Sequence, residues 1–449
     1  MCTPNKQFTS FFDEMQEKFI WEIKSFVPLG YPDAKLIIKL TPRRIHHICP
    51  NCNCGCAYIH EHDTTRTIHG GTMLGVPIIY ELDDSIRYKC GRCKATFFEK
   101  YDCIPEMHSI TTETENYILW QLGTVPMSRI AQETGLSEQT IANRAIAFGK
   151  SEEETMLKGH YKYLSMDEVF IGRDHDNKPV IFWVLNDISV PWKANNIMLY
   201  TDRRKESVIT RLMQLKHRDE VTAVSIDMWK QYKEAVELAI PNAAVVVDRF
   251  HVTQLAEKHM NNVRKNANCS KEDKADMKKD AALFLKSFCK LSIEELERLD
   301  NYLKKDPQLE KMYYILQDLL EFYNTRGFDE ALELLCKWES SVIKSGVNEA
   351  VLLYNTIYEW IPYIMNYFIY RISNGKTEGK NNLIRQIDRM GFHYGLDCMR
   401  GCLYAHDRKQ EYDKWKRHQK KCEKAQEEAE SQRIILMCSQ SIVESVSAA

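Results

Sequence analysis

Aromatic and β-branched residues fall in short runs near the middle of this chain, and those runs predict its most regular region. YKYLSMDEVFIG, KPVIFWVLND and NNIMLYTD read as three successive strands, beginning at Tyr161. The period then alternates between helix and strand. A helix is predicted over Lys205 to Leu215, a strand over Val221 to Ile226, a helix over Trp229 to Ala239, a strand over Ala243 to Val247 and a helix from Phe250. Three strands followed by alternating helix and strand predict a meander joined to an α/β half.

The pattern changes on both sides of this region. Within residues 1–40 the stretch Phe8 to Phe26 repeats its aromatic positions at near-helical spacing and predicts an N-terminal helical segment. Residues 41–106 are rich in Cys and His with short alternating runs, and residues 107–155 read as helices broken at Gly135. Beyond the α/β region, 252–370 is almost entirely helical in pattern. Residues 371–406 resume after the Asn374-Gly375 turn, and 407–449 read as a charged helical tail.

Composition narrows the class without naming it. A chain of 449 residues is long enough for roughly two to four domains. With 44% hydrophobic and 28% charged residues it has ordinary globular chemistry. The net charge of −2 advertises no global field for nucleic acid, although basic residues cluster locally at Arg203, Arg204 and Lys205 and again from Lys409 to Lys421. The first residues lack a signal-peptide pattern, and no apolar run reaches the ~18 residues of a membrane span. A reduced, cytoplasmic, non-membrane protein is expected.

Seven of the 15 cysteines fall between Cys49 and Cys103 in a spacing that suits metal better than disulfides. CPNC (Cys49, Cys52) and CGRC (Cys90, Cys93) are two knuckles, each able to aim two thiolates at one ion, and together they predict a structural four-thiolate Zn²⁺ site. The gap between them exceeds the common ~15–20 residues. Cys54 and Cys56 lie close enough to compete as ligands, and their reading as bystanders is the simpler one.

MSRIAQETGLSEQTIANRAIAF predicts a helix-turn-helix: Met127 to Glu133, a turn at Gly135, Leu136 and Ser137, then Glu138 to Phe148. Gly135 accepts positive φ and Ser137 is a good N-cap. Gln139, Asn143 and Arg144 on the second helix are residue types that reach base edges, although helix pairs of this kind also occur without DNA.

Three acids stand out. Asp167 lies mid-strand among apolar neighbours, where an unpaired carboxylate is costly. Asp227 closes the strand VTAVSID, and Glu378 opens a helix behind SNG. In a sheet of the predicted order, which is the layout of a ribonuclease H-like domain, the first two acids can sit side by side. Paired carboxylates repel, divalent cations relieve that repulsion, and two-metal phosphoryl chemistry uses such a site. Two of the acids also have a plainer reading: Asp227 as a helix cap, Glu378 as a partner of its helix dipole. Asp248 in DRFH, with Arg249 and His251, is a supporting candidate, as is Asn381. Glu168, next to Asp167, should point to the opposite face.

CPNC with CGRC, the helix-turn-helix, SMDEVFIG, SIDMWKQYKEAV with PNAAVVVDRFHV, and RISNGKTEGKNNLIRQIDRMGFHYG occur in this order over about residues 45–405. In these blocks the chain resembles the ISL3 group of bacterial insertion-sequence transposases, within the DDE superfamily. The resemblance implies a multidomain α+β protein: an N-terminal zinc-binding module (41–106), a helix-turn-helix (107–155), and a ribonuclease H-like α/β catalytic core (156–251 and 371–406) with a large helical insertion (252–370). It implies a catalytic triad of Asp167, Asp227 and Glu378 holding two Mg²⁺ or Mn²⁺ ions. DNA partners are implied too: terminal inverted repeats and target DNA, brought together by a dimer or larger assembly. Phosphate contacts are expected from Arg203, Arg204 and Arg385. The rival reading is a DNA-binding regulator that retains the scaffold without its catalysis.

Overall fold

The computed structural model describes residues 11–43, 48–62, 65–83, 86–98, 101, 104, 109–173, 176–190, 193–391 and 393–447. The chain forms two compact units: Met1–Glu152 with Ile387–Ala449, and Glu153–Gln386.

The first unit opens with α1 (Phe11–Lys18), β1 (Phe19–Val27) and β2 (Lys35–Pro42). The helix expected through Phe26 therefore stops at Lys18. β2 alternates with period two, burying Leu36, Ile38 and Leu40 against Phe19, Ile68 and Tyr80, while β1 leaves Ile20, Trp21 and Ile23 exposed. Strand pairing of that alternation overrides the near-helical spacing of the aromatics. β3 (Ala57–His62), β4 (Arg66–Met73), β5 (Val76–Leu82), β6 (Ile86–Cys90) and β7 (Thr96–Phe98) follow. They complete two sheets, ordered β1-β2-β5-β4 and β3-β6-β7. β2 pairs in parallel with β5, Leu36 opposite Ile78 and Leu40 opposite Leu82, so the N-terminal strands share a sheet with part of the cysteine-rich segment.

α2 (Thr112–Gln121), α3 (Met127–Thr134) and α4 (Glu138–Met156) come next. Gly135, at φ 68°, ends α3, and Ser137 Oγ accepts the Thr140 N–H at 3.1 Å to start α4. Ile130, Ala131, Ile141 and Ala145 are buried between them and their neighbours. α4 runs a further two turns beyond the expected end at Phe148.

The second unit is built on β8 (Tyr163–Arg173), β9 (Pro179–Asp187), β10 (Asn195–Tyr200), α5 (Lys205–Leu212), β11 (Ala223–Ile226), α6 (Lys230–Ala239) and β12 (Ala244–Val247). The sheet order is β10-β9-β8-β11-β12. β8, β9 and β10 form an antiparallel meander, and β8, β11 and β12 run parallel. The parallel strands Ala223–Ile226 and Ala244–Val247 are apolar apart from the buried Ser225 and nearly all buried, as strands covered on both faces must be. This is the meander and α/β half that the hydrophobic pattern predicts.

From β12 the chain enters α7 (Arg249–Asn266), then α8 (Lys271–Lys279), α9 (Ile293–Leu303), α10 (Pro307–Asn324), α11 (Phe328–Ser345), α12 (Asn348–Tyr358) and α13 (Ile361–Tyr370). One continuous core joins sheet and helices, with Val246, Met260, Leu316, Trp338 and Phe368 all part of it. Asn366 Nδ2 also donates to the Val245 carbonyl at 2.8 Å. α14 (Gly375–Met390) and α15 (Leu396–Ser447) end the chain. The expected catalytic segment 371–406 is thus divided, because residues from Ile387 onward pack with the first unit.

Within the first unit α15 approaches α4 at two glycines. A Cβ on Gly401 would stand 2.0 Å from the Ala145 carbonyl oxygen, and one on Gly149 would stand 2.9 Å from the Gly401 nitrogen. Gly401→Ala is therefore expected to cost about 1–3 kcal/mol through overpacking. Thermal unfolding of the variant measures it; an unchanged melting temperature would show the crossing to be loose.

Candidate active site

A cleft of about 890 Å³ in the second unit is lined by Asp167, Asp227, Asp248, His251, Arg203 and Glu378, among others. Its acids are placed by strand register. β8 and β11 pair in parallel up to Ser165 and Ser225. Asp167 and Asp227 each lie two residues beyond that last pair, Asp227 just past the end of β11 and Asp167 within β8, which continues along β9 to Arg173. His251 sits in the first turn of α7, immediately after β12.

Ligand atoms of Asp167, Asp227 and His251 all lie within 4.8 Å of one another. His251 Nε2 is 2.6 Å from Asp227 Oδ1. Burial lowers the His251 pKa, but the Asp227 carboxylate outweighs it and the net direction is upward. Asp167 is only 8% exposed. Its Oδ1 accepts the Glu168 N–H at 2.7 Å and its Oδ2 accepts from Asn381 Nδ2 at 2.8 Å. Those hydrogen bonds favour the ionised form, yet burial first and the Asp227 charge second push its carboxyl up to about 7. Asp248 is buried and raised for the same leading reason, and its Oδ1 accepts the Asn374 N–H at 3.1 Å.

Asn374 is a central residue that the sequence reading treats only as part of a turn. Its Nδ2 approaches the Met166 carbonyl at 3.3 Å and Asp227 Oδ1 at 3.4 Å, while its backbone holds Asp248. Asn374 thus ties β8, β11 and β12 together, the first two through its side chain and the third through its backbone N–H. The SNG turn before a helix is the only signal of it in the sequence, because its partners lie far upstream. Oδ1 of Asn374 and Oδ1 of Asn381 are buried without a hydrogen-bond partner. Two carboxylates, an imidazole and unsatisfied amide oxygens form a donor set suited to a divalent cation.

Glu378 lines the same cleft from the first turn of α14, but outside the 4.8 Å cluster. Its side chain is 58% exposed and pairs with Arg385 at 3.2 Å; Arg385 also donates to Asn382 Oδ1 at 2.7 Å. Glu168 is held by Arg203 and by the Tyr232 hydroxyl at 2.7 Å. The Arg203 guanidinium lies 5.4 Å from the centre of the Trp229 ring. Arg204 is engaged by Asp202 at 2.8 Å, and Arg249 is exposed.

In the first unit the two cysteine knuckles have matching backbones. Asn53 (φ 53°) and Lys94 (φ 64°) each follow the second cysteine in a left-handed conformation, and each N–H returns to the carbonyl of the first cysteine, at 2.9 and 3.0 Å. Ligand atoms of Cys49, Cys52, Cys90 and Cys93 form one group. The Cys49–Cys93 and Cys52–Cys90 sulfur separations are 3.5 and 3.6 Å. A zinc tetrahedron with bonds of about 2.3 Å has edges of about 3.8 Å, so these thiols fit the ion with little movement. The Cys93 N–H lies 3.4 Å from Cys90 Sγ, and backbone donors at Cys93 lead in pulling the Cys90 thiol down to about 6. Cys54 Sγ is 3.3 Å from both Cys52 and Cys90, whereas Cys56 is exposed.

On α4, Gln139 and Asn143 are exposed and bonded to each other at 3.0 Å. Arg144 is half-buried and paired with Glu115 at 3.2 Å, which anchors it toward α2. No helix among the described residues is long and apolar enough to cross a membrane.

An acidic cleft at the strand ends of a mixed sheet, in a chain with a four-thiolate cluster, defines an α+β protein equipped for divalent metals. Residues 164–400 match the family model of the ISL3 transposases, and the chain belongs to that family of DDE-type insertion-sequence transposases, enzymes that cleave and transfer DNA. The family implies use of divalent metal. The transposase for insertion sequence element IS1001 of Bordetella parapertussis is 21% identical over 372 residues, which span 81% of this chain and 89% of that protein. Among solved structures, the Drosophila P element transposase strand transfer complex is similar at 11% identity with a TM-score of 0.38, covering 65% of this chain and 90% of that one.

The raised Asp167 pKa makes a stability prediction. Because the folded value of about 7 exceeds the usual carboxylate value of about 3.9, the unfolded chain ionises first as pH rises. Metal-free protein should therefore lose stability between about pH 4 and 7 on account of this group, by at most roughly 4 kcal/mol. Asp167→Asn should flatten that fall and raise the metal-free melting temperature at pH 8. An equal or lower melting temperature would contradict the burial argument.

Proposed function

We propose that this transposase binds the terminal inverted repeats of an insertion sequence and cuts and joins DNA at the Asp167–Asp227 cleft of a ribonuclease H-like core. The observation that carries this reading is the juxtaposition of the Asp167 and Asp227 carboxylates with His251 in an open cleft. Asp167, Asp227 and Glu378 would hold two Mg²⁺ or Mn²⁺ ions, which supply activation of the attacking oxygen and stabilisation of the leaving one.

The protein's own groups prepare that chemistry. Asn381 fixes one oxygen of Asp167, and Asn374 orients Asp227 while clamping Asp248, so the acids meet their ligand in a fixed geometry. His251 shares the Asp227 carboxylate and stands ready to take or return a proton at Nε2. Glu378 reaches the cluster once Arg385 exchanges its carboxylate for a DNA phosphate. Arg203 and Arg204 add phosphate contacts that fix position without reading sequence. In the first step water attacks the phosphorus at the element's end, the P–O3′ bond breaks, and the element keeps a 3′-hydroxyl while the flanking strand keeps a 5′-phosphate. In the second, that hydroxyl attacks a target phosphodiester, forming one P–O bond as another breaks.

The zinc cluster is structural in this reading, since four thiolates leave no open position. Gln139, Asn143 and Arg144 face bases, Arg144 after parting from Glu115. Two element ends must meet, so a dimer or larger assembly carries out the reaction.

Incubation of DNA carrying the element ends with Mg²⁺ tests the proposal. The wild type should nick and join it, while Asp227→Asn and Glu378→Gln each lose about a hundredfold or more in cleavage and keep DNA binding. A wild type that binds these ends but never cuts them is the silent regulator instead. Full cleavage by Glu378→Gln would remove Glu378 from the triad.

A further inference from the structure

A second cluster of ligand-bearing side chains lies at the other end of β8 and β11. His160, in the segment leading into β8, and His217 and Glu220, in the segment leading into β11, bring three ligand atoms within 4.8 Å of one another. His160 Nδ1 is 2.8 Å from Glu220 Oε2, and His217 Nδ1 is 3.3 Å from Glu220 Oε1, so each imidazole addresses a different carboxylate oxygen. The two rings stack with centroids 3.8 Å apart and planes 24° from parallel.

The backbone fixes this grouping. The Lys216 N–H donates to the Leu157 carbonyl at 2.9 Å, and the Thr222 N–H donates to the Lys162 carbonyl at 2.9 Å. These bonds strap the two lead-in segments together on either side of the cluster, just before Tyr163 and Ala223 begin the parallel ladder. The 3-10 turn Arg218–Glu220 then sets His217 and Glu220 three residues apart on one side. A zinc ion with bonds of about 2.0–2.1 Å has tetrahedral edges of about 3.3 Å, which the observed separations approach.

We propose that His160, His217 and Glu220 form a surface divalent-cation site of the zinc class that clasps the start of β8 to the start of β11. Two imidazoles and one carboxylate suit Zn²⁺, Ni²⁺ or Cu²⁺ rather than Mg²⁺, so this site is chemically distinct from the acidic cleft. Half-exposed ligands leave the remaining positions to water. By binding only the folded ladder, the ion stabilises the pairing whose far end carries Asp167 and Asp227.

Equilibrium dialysis at micromolar free zinc tests this on the full chain, with Asp167→Asn as the background so that the cleft contributes little. The expected result is one zinc fewer per chain when His160→Ala and His217→Ala are added, with the four-thiolate zinc retained. The same chain should also lose a zinc-induced rise in melting temperature. Equal zinc content in the two proteins overturns the site. If circular dichroism shows the double variant unfolded, Glu220→Gln replaces it. That variant should weaken the affinity for this zinc about tenfold or more, and unchanged affinity overturns the proposal equally.

Discussion

The parallel ladder between β8 and β11 is the constraint on which this protein's chemistry depends. It is short, ending at Ser165 and Ser225, and it delivers two aspartates to one place two residues later. A buried carboxylate, with a second one close beside it, is unfavourable in the absence of a cation, and the rise of Asp167 toward neutrality expresses burial first and the Asp227 charge second. Every neighbouring contact offsets it. Asn381 and the Glu168 amide donate to one acid, and His251 and Asn374 address the other. The site is therefore held in a strained charge state by a scaffold that is itself apolar and well packed.

How much of this the sequence reveals follows from the range of each interaction. Period-two runs of aromatic and β-branched residues expose the meander, because side-chain alternation is local. The acids at 167 and 227 are legible because a charge inside or at the end of an apolar strand is costly and invites explanation. The N-terminal strands are not legible. Phe8 to Phe26 carries helical spacing, and only pairing of β1 with β2, itself held by β5 some forty residues on, decides the matter. Asn374 is hidden for the same reason: an amide in a turn has no periodicity, and its significance lies in partners from three other segments. Arg144 and Arg385 show the converse, since their charge is plain in the sequence but their pairing with Glu115 and Glu378 is not.

Local backbone chemistry is read with better success where a residue's own conformational preference dominates. Gly135 takes the left-handed conformation that ends α3, and Ser137 caps α4. The two knuckles depend on a similar conformation at Asn53 and Lys94. Asn tolerates it readily, whereas Lys holds it against a cost of roughly 1–2 kcal/mol. A metal bridging the four thiols would stabilise both turns together, which makes the ion part of the fold of its module.

The unbroken core between the sheet and α7 to α13 gives the helical segment a meaning that the word insertion conceals. Val246 and Phe368, on opposite sides of more than a hundred residues of helix, belong to one apolar interior. Asn366 reaches back to the carbonyl of Val245 in the edge strand. The helices are thus the sheet's missing cover layer, not cargo carried in a loop. Recombination that exchanged the helices without β12 would leave one sheet face bare to water.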